Sequence, residues 1–143
     1  MSAERAAVVR IRGVDKRFDA GGRTVTALTG IDLDIAKGEF VSLIGPSGCG
    51  KSTLLRLIGD LTAPSSGSVE VNGKAAHAAR LGREYGMVFQ APVLFEWRTV
   101  EDNVRLPLEL LGTERGERDR RVREMLDLVE LADFARHHPY QLS

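Results

Sequence analysis

The sequence holds a single cysteine, Cys49, so no disulfide can close within the chain. Its three histidines, of which only His137 and His138 are adjacent, do not stand at metal-ligand spacing from that cysteine, which excludes a structural zinc site. Net charge is lacking too: twenty Lys and Arg balance twenty Asp and Glu. A chain of zero formal charge has no electrostatic footprint of a nucleic-acid binder, so no nucleic-acid partner is expected. Long hydrophobic runs are missing. The apolar cluster Leu54, Leu55, Leu57, Ile58 is broken by Arg56 and falls far short of the about 18 residues a membrane-spanning helix needs. The N-terminus carries Glu4 and Arg5 ahead of only four apolar residues, too few for a secretory signal, and predicts a cytoplasmic protein. No internal repeat and no low-complexity segment interrupts the chain.

What remains is ordinary in amount. At 143 residues, with 43% hydrophobic and 28% charged side chains, the chain has the length of about one soluble domain. Its first part reads as short strands, Val8 to Ile11, Thr24 to Leu28 and Ile31 to Ile35, separated by turn signals at Asp19-Ala20-Gly21-Gly22 and Thr29-Gly30. Ile31, Leu33 and Ile35 alternate with polar or small neighbours, the period of a strand with one buried face. The run Phe40 to Ile44 is apolar at nearly every position and predicts a central strand of a parallel sheet, covered on both faces.

Further on, Lys51 to Leu61 carries leucines and isoleucine at helical spacing. Pro64 to Gly67 reads as a turn, Ser68 to Asn72 and Tyr85 to Gln90 as strands, and Leu81-Gly82-Arg83 as a loop. From Thr99 the pattern becomes helical, with Thr99 and Asp102 as a capping pair and Pro107 expected to kink or end the run. A longer helix is expected over Glu114 to Leu131, striped by Val122, Met125, Leu126 and Val129. An antiparallel β subdomain and loop-bearing core to about residue 98, followed by a helical subdomain over about 99–143, is the α/β organisation these patterns predict.

The order strand, glycine loop, helix places one motif in a telling context. Gly45-x-x-x-x-Gly50-Lys51-Ser52 fits the P-loop pattern, whose four fixed positions would match a chain of this composition by chance roughly 0.4% of the time. Glycines are needed because backbone N–H groups must converge on a phosphate at a range that a Cβ would obstruct. The helix N-terminus adds its dipole. Lys51 would place a point charge at the β and γ phosphates, Ser52 would give its hydroxyl to Mg²⁺, and Thr53 would reach the α-phosphate region. Taken without that context, the same residues are a glycine turn before an ordinary helix.

The residues GPSGCGKSTLLRLI from Gly45, SSGSVEVNG from Ser65, GMVFQ from Gly86 and HPYQLS from His138 closely resemble the ATP-binding subunits of ABC transporters. VTALTGIDLDIAKGEFVSL from Val25 and LFEWRTVEDNV from Leu94 extend the resemblance over almost the whole chain. Trp97-Arg98-Thr99-Val100 looks most like the subfamily that energises import of nitrate, alkylsulfonates, taurine, bicarbonate or pyrimidine precursors. The resemblance implies a P-loop NTPase-type fold binding Mg²⁺ and ATP through Gly45, Pro46, Ser47, Gly48, Cys49, Gly50, Lys51, Ser52 and Thr53. It makes Phe18 the ring that stacks on adenine and Gln90 the glutamine that approaches Mg²⁺ and the attacking water. Read alone, Phe18 is a core aromatic at a strand end, and Gln90 a structural or solvated glutamine at another. Ala91 to Arg98 would receive a membrane permease or, on the bland reading, fold back on the helical subdomain. Cys49 is a small packing residue or a reactive thiol; His137 and His138 are surface residues with no catalytic claim.

Gln141-Leu142-Ser143 matches the start of the family's signature sequence. The resemblance puts the Walker B aspartate, the catalytic glutamate and the switch histidine after that point, and no apolar strand before it ends in Asp-Glu. The expectation is a polypeptide that binds Mg-ATP without hydrolysing it alone, doubtful as a dimer by itself although the family works as one, and peripheral on the cytoplasmic face of the inner membrane. Three readings follow: part of an importer ATPase, a nucleotide-binding or permease-docking module that never hydrolyses, or another P-loop enzyme such as a small-molecule kinase.

Overall fold

A computed structural model describes residues 6–142. Ser143, the last residue of the signature match, and Met1 to Arg5 lie outside the described residues. The chain divides into two compact units, the first reaching Val88 and the second beginning at Phe89.

The first unit is built on a long antiparallel ribbon, β1 (Ala7–Ala20) against β2 (Arg23–Ala36). Gly21 and Gly22, both at positive φ, close the hairpin. The two strands expected on either side of Thr29-Gly30 are one strand. Gly30 does not turn the chain: at φ 57 it forms an irregularity, and its N–H donates to the Asp15 carboxylate at 2.7 Å. That donor is first among the causes holding the Asp15 carboxyl below its ordinary range. Ile31, Leu33 and Ile35 are half-buried and alternate with exposed Asp32 and Asp34, as their spacing predicts. β3 (Ser66–Val71) pairs with the other edge of β1, and β4 (Lys74–Ala75) with β3, giving the sheet order β2-β1-β3-β4. Ser66 and Gly67, read as turn residues, belong to this strand.

Two helices cover one face of the sheet. α1 (Lys51–Ile58) buries Leu54 and Leu57, three positions apart and so on one side of the helix. α2 (Ala76–Leu81), which apolar periodicity does not reveal because its buried residues are Ala76 and Ala79, joins the same core with Ile11, Val14, Leu28, Val69 and Val71. α1 stops at Gly59, short of the expected Leu61, and Asp60 follows at φ 46. The Asp60 carboxylate accepts from Arg80 Nε at 2.8 Å and lies 2.9 Å from His77 Nδ1, tying the end of α1 to α2. These partners, Arg80 first, hold its carboxyl below the usual range. Their stabilisation is present at neutral pH and is lost as pH falls through the lowered value.

The expected strands Phe40 to Ile44 and Tyr85 to Gln90 carry no ladder pairing among the described residues. A strand is defined by a neighbour that takes its N–H and C=O groups, and apolar content alone does not supply one. Phe40, Ile44 and Val88 are accordingly 94%, 92% and 98% exposed. The sheet of the described residues is antiparallel throughout.

The second unit packs α3 (Val100–Leu110) on α4 (Arg115–Leu128), with Val100, Val122 and Leu126 buried between them. Thr99 caps α3 as expected, its hydroxyl accepting from the Asp102 N–H at 3.1 Å. Pro107 does not end the helix, which continues to Leu110. α4 is shorter than the Glu114 to Leu131 expectation, and only two of its four stripe residues are buried; Met125 and Val129 are exposed. Two 3-10 turns, Ala132–Phe134 and Pro139–Gln141, complete the unit.

Gly67 has φ 82, and a Cβ there would lie 2.5 Å from the Gly13 carbonyl oxygen and nearer still to that of Arg12. Gly67→Ala is therefore expected to destabilise the first unit by roughly 1–3 kcal/mol through left-handed strain and displaced ladder bonds. A lowered urea midpoint at unchanged slope is the outcome expected.

Candidate functional site

The loop Gly45 to Gly50 runs between the unpaired segment 40–44 and α1, and its shape is set by two residues in left-handed conformations, Gly48 at φ 82 and Gly50 at φ 97. Gly50 is the helix cap and has no side chain to bond the first-turn N–H groups. No acidic residue occupies that turn. The first-turn donors of an α-helix have no carbonyl partner within it, so this end of α1 offers N–H groups and the positive end of a dipole to an anion. Gly50 is also pinned from behind: a Cβ would lie 2.7 Å from Leu28 Cδ2 and 2.8 Å from the Ala27 carbonyl oxygen. Gly48 faces open space. One glycine is required by contact with the sheet, the other by backbone conformation.

Lys51 folds over this loop. Its Nζ donates to the carbonyl oxygens of Gly45 at 2.8 Å and Pro46 at 2.7 Å and lies 3.5 Å from Cys49 Sγ. The Cys49 N–H closes on the Pro46 carbonyl at 3.4 Å. The ammonium is thus held inside the ring of backbone that would surround a phosphate, and the carbonyls it now uses are exchangeable for phosphate oxygens. Gly45, Pro46, Ser47, Gly48 and Cys49 are exposed around it, Ser52 is exposed at the first turn of α1, and Thr53 is half-buried. The open cradle, the glycine whose Cβ would strike β2 and the single cation at its centre fit a polyphosphate. Among the described residues no group of three or more His, Cys, Asp or Glu could hold a metal ion.

Phe18 lies on β1 opposite Val25, three residues along β2 from the Leu28 that touches Gly50. Its ring is partly exposed and carries Lys16 Nζ 4.8 Å from its centroid; the same ammonium donates to the Ala63 carbonyl at 2.8 Å. The ribbon thereby brings the aromatic to the loop end of the sheet without burying it in the core. Gln90 belongs to the second unit, where its side chain is exposed. His137 and His138 are drawn into the packing of the second unit's loops: the His137 ring lies against that of Phe134, with centroids 5.4 Å apart, its backbone N–H donates to the Phe134 carbonyl at 2.9 Å, and His138 stacks on Tyr140 at 5.5 Å.

One residue that the sequence reading passed over organises the segment Ala91 to Arg98. Asn103, 8% exposed, accepts from the Phe95 N–H at 2.8 Å and donates to the carbonyls of Phe95 at 3.0 Å, Arg98 at 3.3 Å and Thr99 at 2.9 Å. The available signal was an Asn among Val100, Val104 and Leu108 on the inward side of a helix, where a polar side chain must find partners. Held this way, the segment keeps Val93, Leu94, Phe95 and Trp97 on the surface; Trp97 is 71% exposed.

A β ribbon backing a glycine loop that opens a helix, with lysine at the loop's centre, defines the nucleotide-binding part of a P-loop fold. A family model described as ABC transporter matches residues 28–143, and the chain belongs to that family. Its fold is the ABC nucleotide-binding fold, with an antiparallel β subdomain and a helical subdomain. The methionine import ATP-binding protein MetN of Streptomyces coelicolor is 46% identical over 148 residues, covering 95% of this chain and 42% of its own length. The taurine import ATP-binding protein TauB of Jannaschia sp. is 42% identical, covering 93% of this chain and 49% of the relative. A solved dimeric ATP-binding cassette, MJ0796, in a post-hydrolysis state bound to ADP and Pi, superposes with a TM-score of 0.84 at 37% identity, covering 94% of this chain and 63% of that one. The chain spans less than half the length of these two curated relatives. The spermidine/putrescine import protein PotA of Thermobifida fusca is 43% identical, so the similarity extends well outside the nitrate and taurine group.

Two expected outcomes follow from this geometry. Gly50→Ala forces a non-glycine residue to φ 97 against β2, and should weaken nucleotide binding at least about tenfold in calorimetric titration. Asn103→Ala leaves a buried N–H and carbonyls of the loop unsatisfied, and should cost the second unit roughly 1–3 kcal/mol, read as an earlier Trp97 fluorescence transition in urea.

Proposed function

We propose that the chain is the nucleotide-binding part of an importer's ATP-binding subunit, holding Mg-ATP at Gly45 to Thr53. The observation that carries this reading is Lys51 Nζ seated on the Gly45 and Pro46 carbonyls at the mouth of an uncapped helix. On binding, the ammonium leaves those carbonyls for phosphate oxygens, the loop N–H groups turn to the same anion, and the Ser52 hydroxyl is the metal donor. Magnesium supplies charge neutralisation of the phosphates when bound. Phe18 offers a π face to the base, a role that needs only an exposed ring near the loop. Gln90 is proposed, on the resemblance of Gly86 to Gln90 alone, as the glutamine that approaches metal and attacking water.

Import is supported by the relatives, which are ATP-binding proteins for import of methionine, taurine and spermidine/putrescine. A solute of the nitrate, sulfonate or taurine kind is supported by Trp97-Arg98-Thr99-Val100 and by the taurine relative; the methionine relatives support only the wider importer class. Ala91 to Arg98 is proposed as the face for a membrane permease, because four apolar side chains are kept exposed there by buried hydrogen bonds. Dimerisation is supported by the dimeric cassette. Peripheral attachment at the cytoplasmic face of the inner membrane follows from such a partner; among the described residues no helix is long and apolar enough to cross a membrane. The proposed organisation places a β and P-loop core before about residue 98 and a helical subdomain after it. Binding of Mg-ATP without turnover is what these residues are proposed to do by themselves.

Chemical unfolding with and without Mg-ATP tests the reading. At about one hundred times the dissociation constant, ATP should add roughly 2.7 kcal/mol to the wild-type chain and nothing comparable to Lys51→Ala. A cooperative transition indifferent to ATP in the wild type would sink the assignment.

A further inference from the structure

Two positions apart on β1, Lys16 and Phe18 form a pair that the loop following α1 holds together. The Lys16 ammonium lies 4.8 Å from the centroid of the Phe18 ring and donates to the Ala63 carbonyl at 2.8 Å. No carboxylate among the described residues comes within ion-pair distance of it. Asp15 is engaged by the Gly30 N–H and Arg17, and Asp19 accepts from the Thr24 hydroxyl. The acceptor is itself held. Pro64 restricts the backbone of Ala63, and Ser65 is stitched to β1 twice: its N–H donates to the Asp15 carbonyl at 2.9 Å, and its hydroxyl accepts from the Arg17 N–H at 2.9 Å. The ammonium is thereby fixed against the sheet, and Lys16 is half-buried. Phenylalanine carries no hydroxyl, so a cation over its face is the polar contact that can orient its ring. Phe18 is still 41% exposed, which leaves ring surface for a ligand after the ammonium has taken one face.

We infer that Lys16 is a positioning residue for the base of a bound nucleotide, holding Phe18 by one face so that the purine stacks on the other. This rests on the reading of Phe18 as the ring that meets the base of a nucleotide held at Gly45 to Thr53. An exposed phenyl ring turns about χ1 and χ2, and a ligand that stacks on it must first stop that motion. The ammonium stops it beforehand. It also draws π density toward itself, which leaves the far face less negative and less repulsive to the π face of a base. Neither effect separates one purine from another, because stacking reads a π face and not hydrogen-bond donors. Lys16 thus supports affinity for the base while Lys51 serves the phosphates, and the work of the two lysines is separable.

The test is calorimetric titration of the 143-residue chain with Mg-ATP and, separately, with magnesium tripolyphosphate, which shares the phosphates and lacks base and sugar. Lys16→Met, which keeps an apolar stem and loses the charge, should weaken ATP about three- to fivefold and leave tripolyphosphate unchanged. Lys16→Arg should return ATP toward wild type, since a guanidinium also lies on an aromatic face. Phe18→Ala should cost about tenfold for ATP alone, and adding Lys16→Met to it should cost nothing further. Equal loss of both ligands in Lys16→Met, the signature of a damaged fold, overturns the inference. So does unchanged ATP affinity in that variant, or a Lys16→Arg as weak as Lys16→Met. A further loss in the Phe18→Ala background overturns it too, because the ammonium then acts on the nucleotide without the ring. Failure of the underlying reading looks different. A wild type that binds ATP no more tightly than tripolyphosphate, with Phe18→Ala silent, removes Phe18 from the base, and a wild type that binds neither removes the loop.

Discussion

The close approach of Gly50 to β2 is the contact on which the candidate site depends. The backbone there is left-handed, the sheet lies directly behind it, and the next residue is the lysine that fills the loop. Moving that junction outward by the radius of a methyl group would tilt α1, lift Leu54 and Leu57 from the core they share with Leu28, and carry Lys51 off the carbonyls it bridges. Core and site are therefore one construction. The same leucine that closes the hydrophobic interior sets how near the helix mouth can come to the ribbon, and the ribbon in turn carries Phe18 to that end of the sheet.

The second unit solves a different problem with the same economy. A loop that presents Val93, Leu94, Phe95 and Trp97 to solvent gains little from burial and must be held by polar contacts. Asn103 provides them from inside a helix. A buried amide with four partners is stable only when all four are in place, which makes the loop's shape an all-or-none property of its surroundings. The four apolar side chains are unburied while the backbone that carries them is tied by hydrogen bonds to Asn103.

Much of this was legible in the residues themselves. The P-loop spacing, the period-two run Ile31 to Ile35 and the Thr99 cap each depend on local chemistry, and local chemistry is what a sequence states directly. The family resemblance was legible for the same reason, in contiguous motifs. What failed depended on neighbours. Phe40 to Ile44 has the composition of a central strand, but pairing is a property of two segments, and among the described residues none pairs with it. Gly30 looked like a turn because glycine marks both turns and bulges; only the Asp15 carboxylate waiting for its N–H distinguishes them. Pro107, expected to kink or end the helix, does not end it: the packing of Val104 and Leu108 carries the helix past it. Asn103 escaped notice because a lone Asn in a helix says nothing until its carbonyl partners, up to eight residues away, are folded against it. The solute is less legible: Trp97 to Val100 are four residues of one surface, and the relatives at similar identity include import proteins for methionine, taurine and spermidine/putrescine, which support the importer class and not one solute.

The exposed side chains of Phe40, Ile44 and Val88 have a calorimetric consequence. Unfolding ordinarily raises the heat capacity by about 12–15 cal/mol/K per residue, because apolar surface passes from the interior into water. Here a share of that surface is hydrated before unfolding begins. The curve of stability against temperature is correspondingly flatter than the chain's length implies, and its enthalpy changes less between cold and warm conditions.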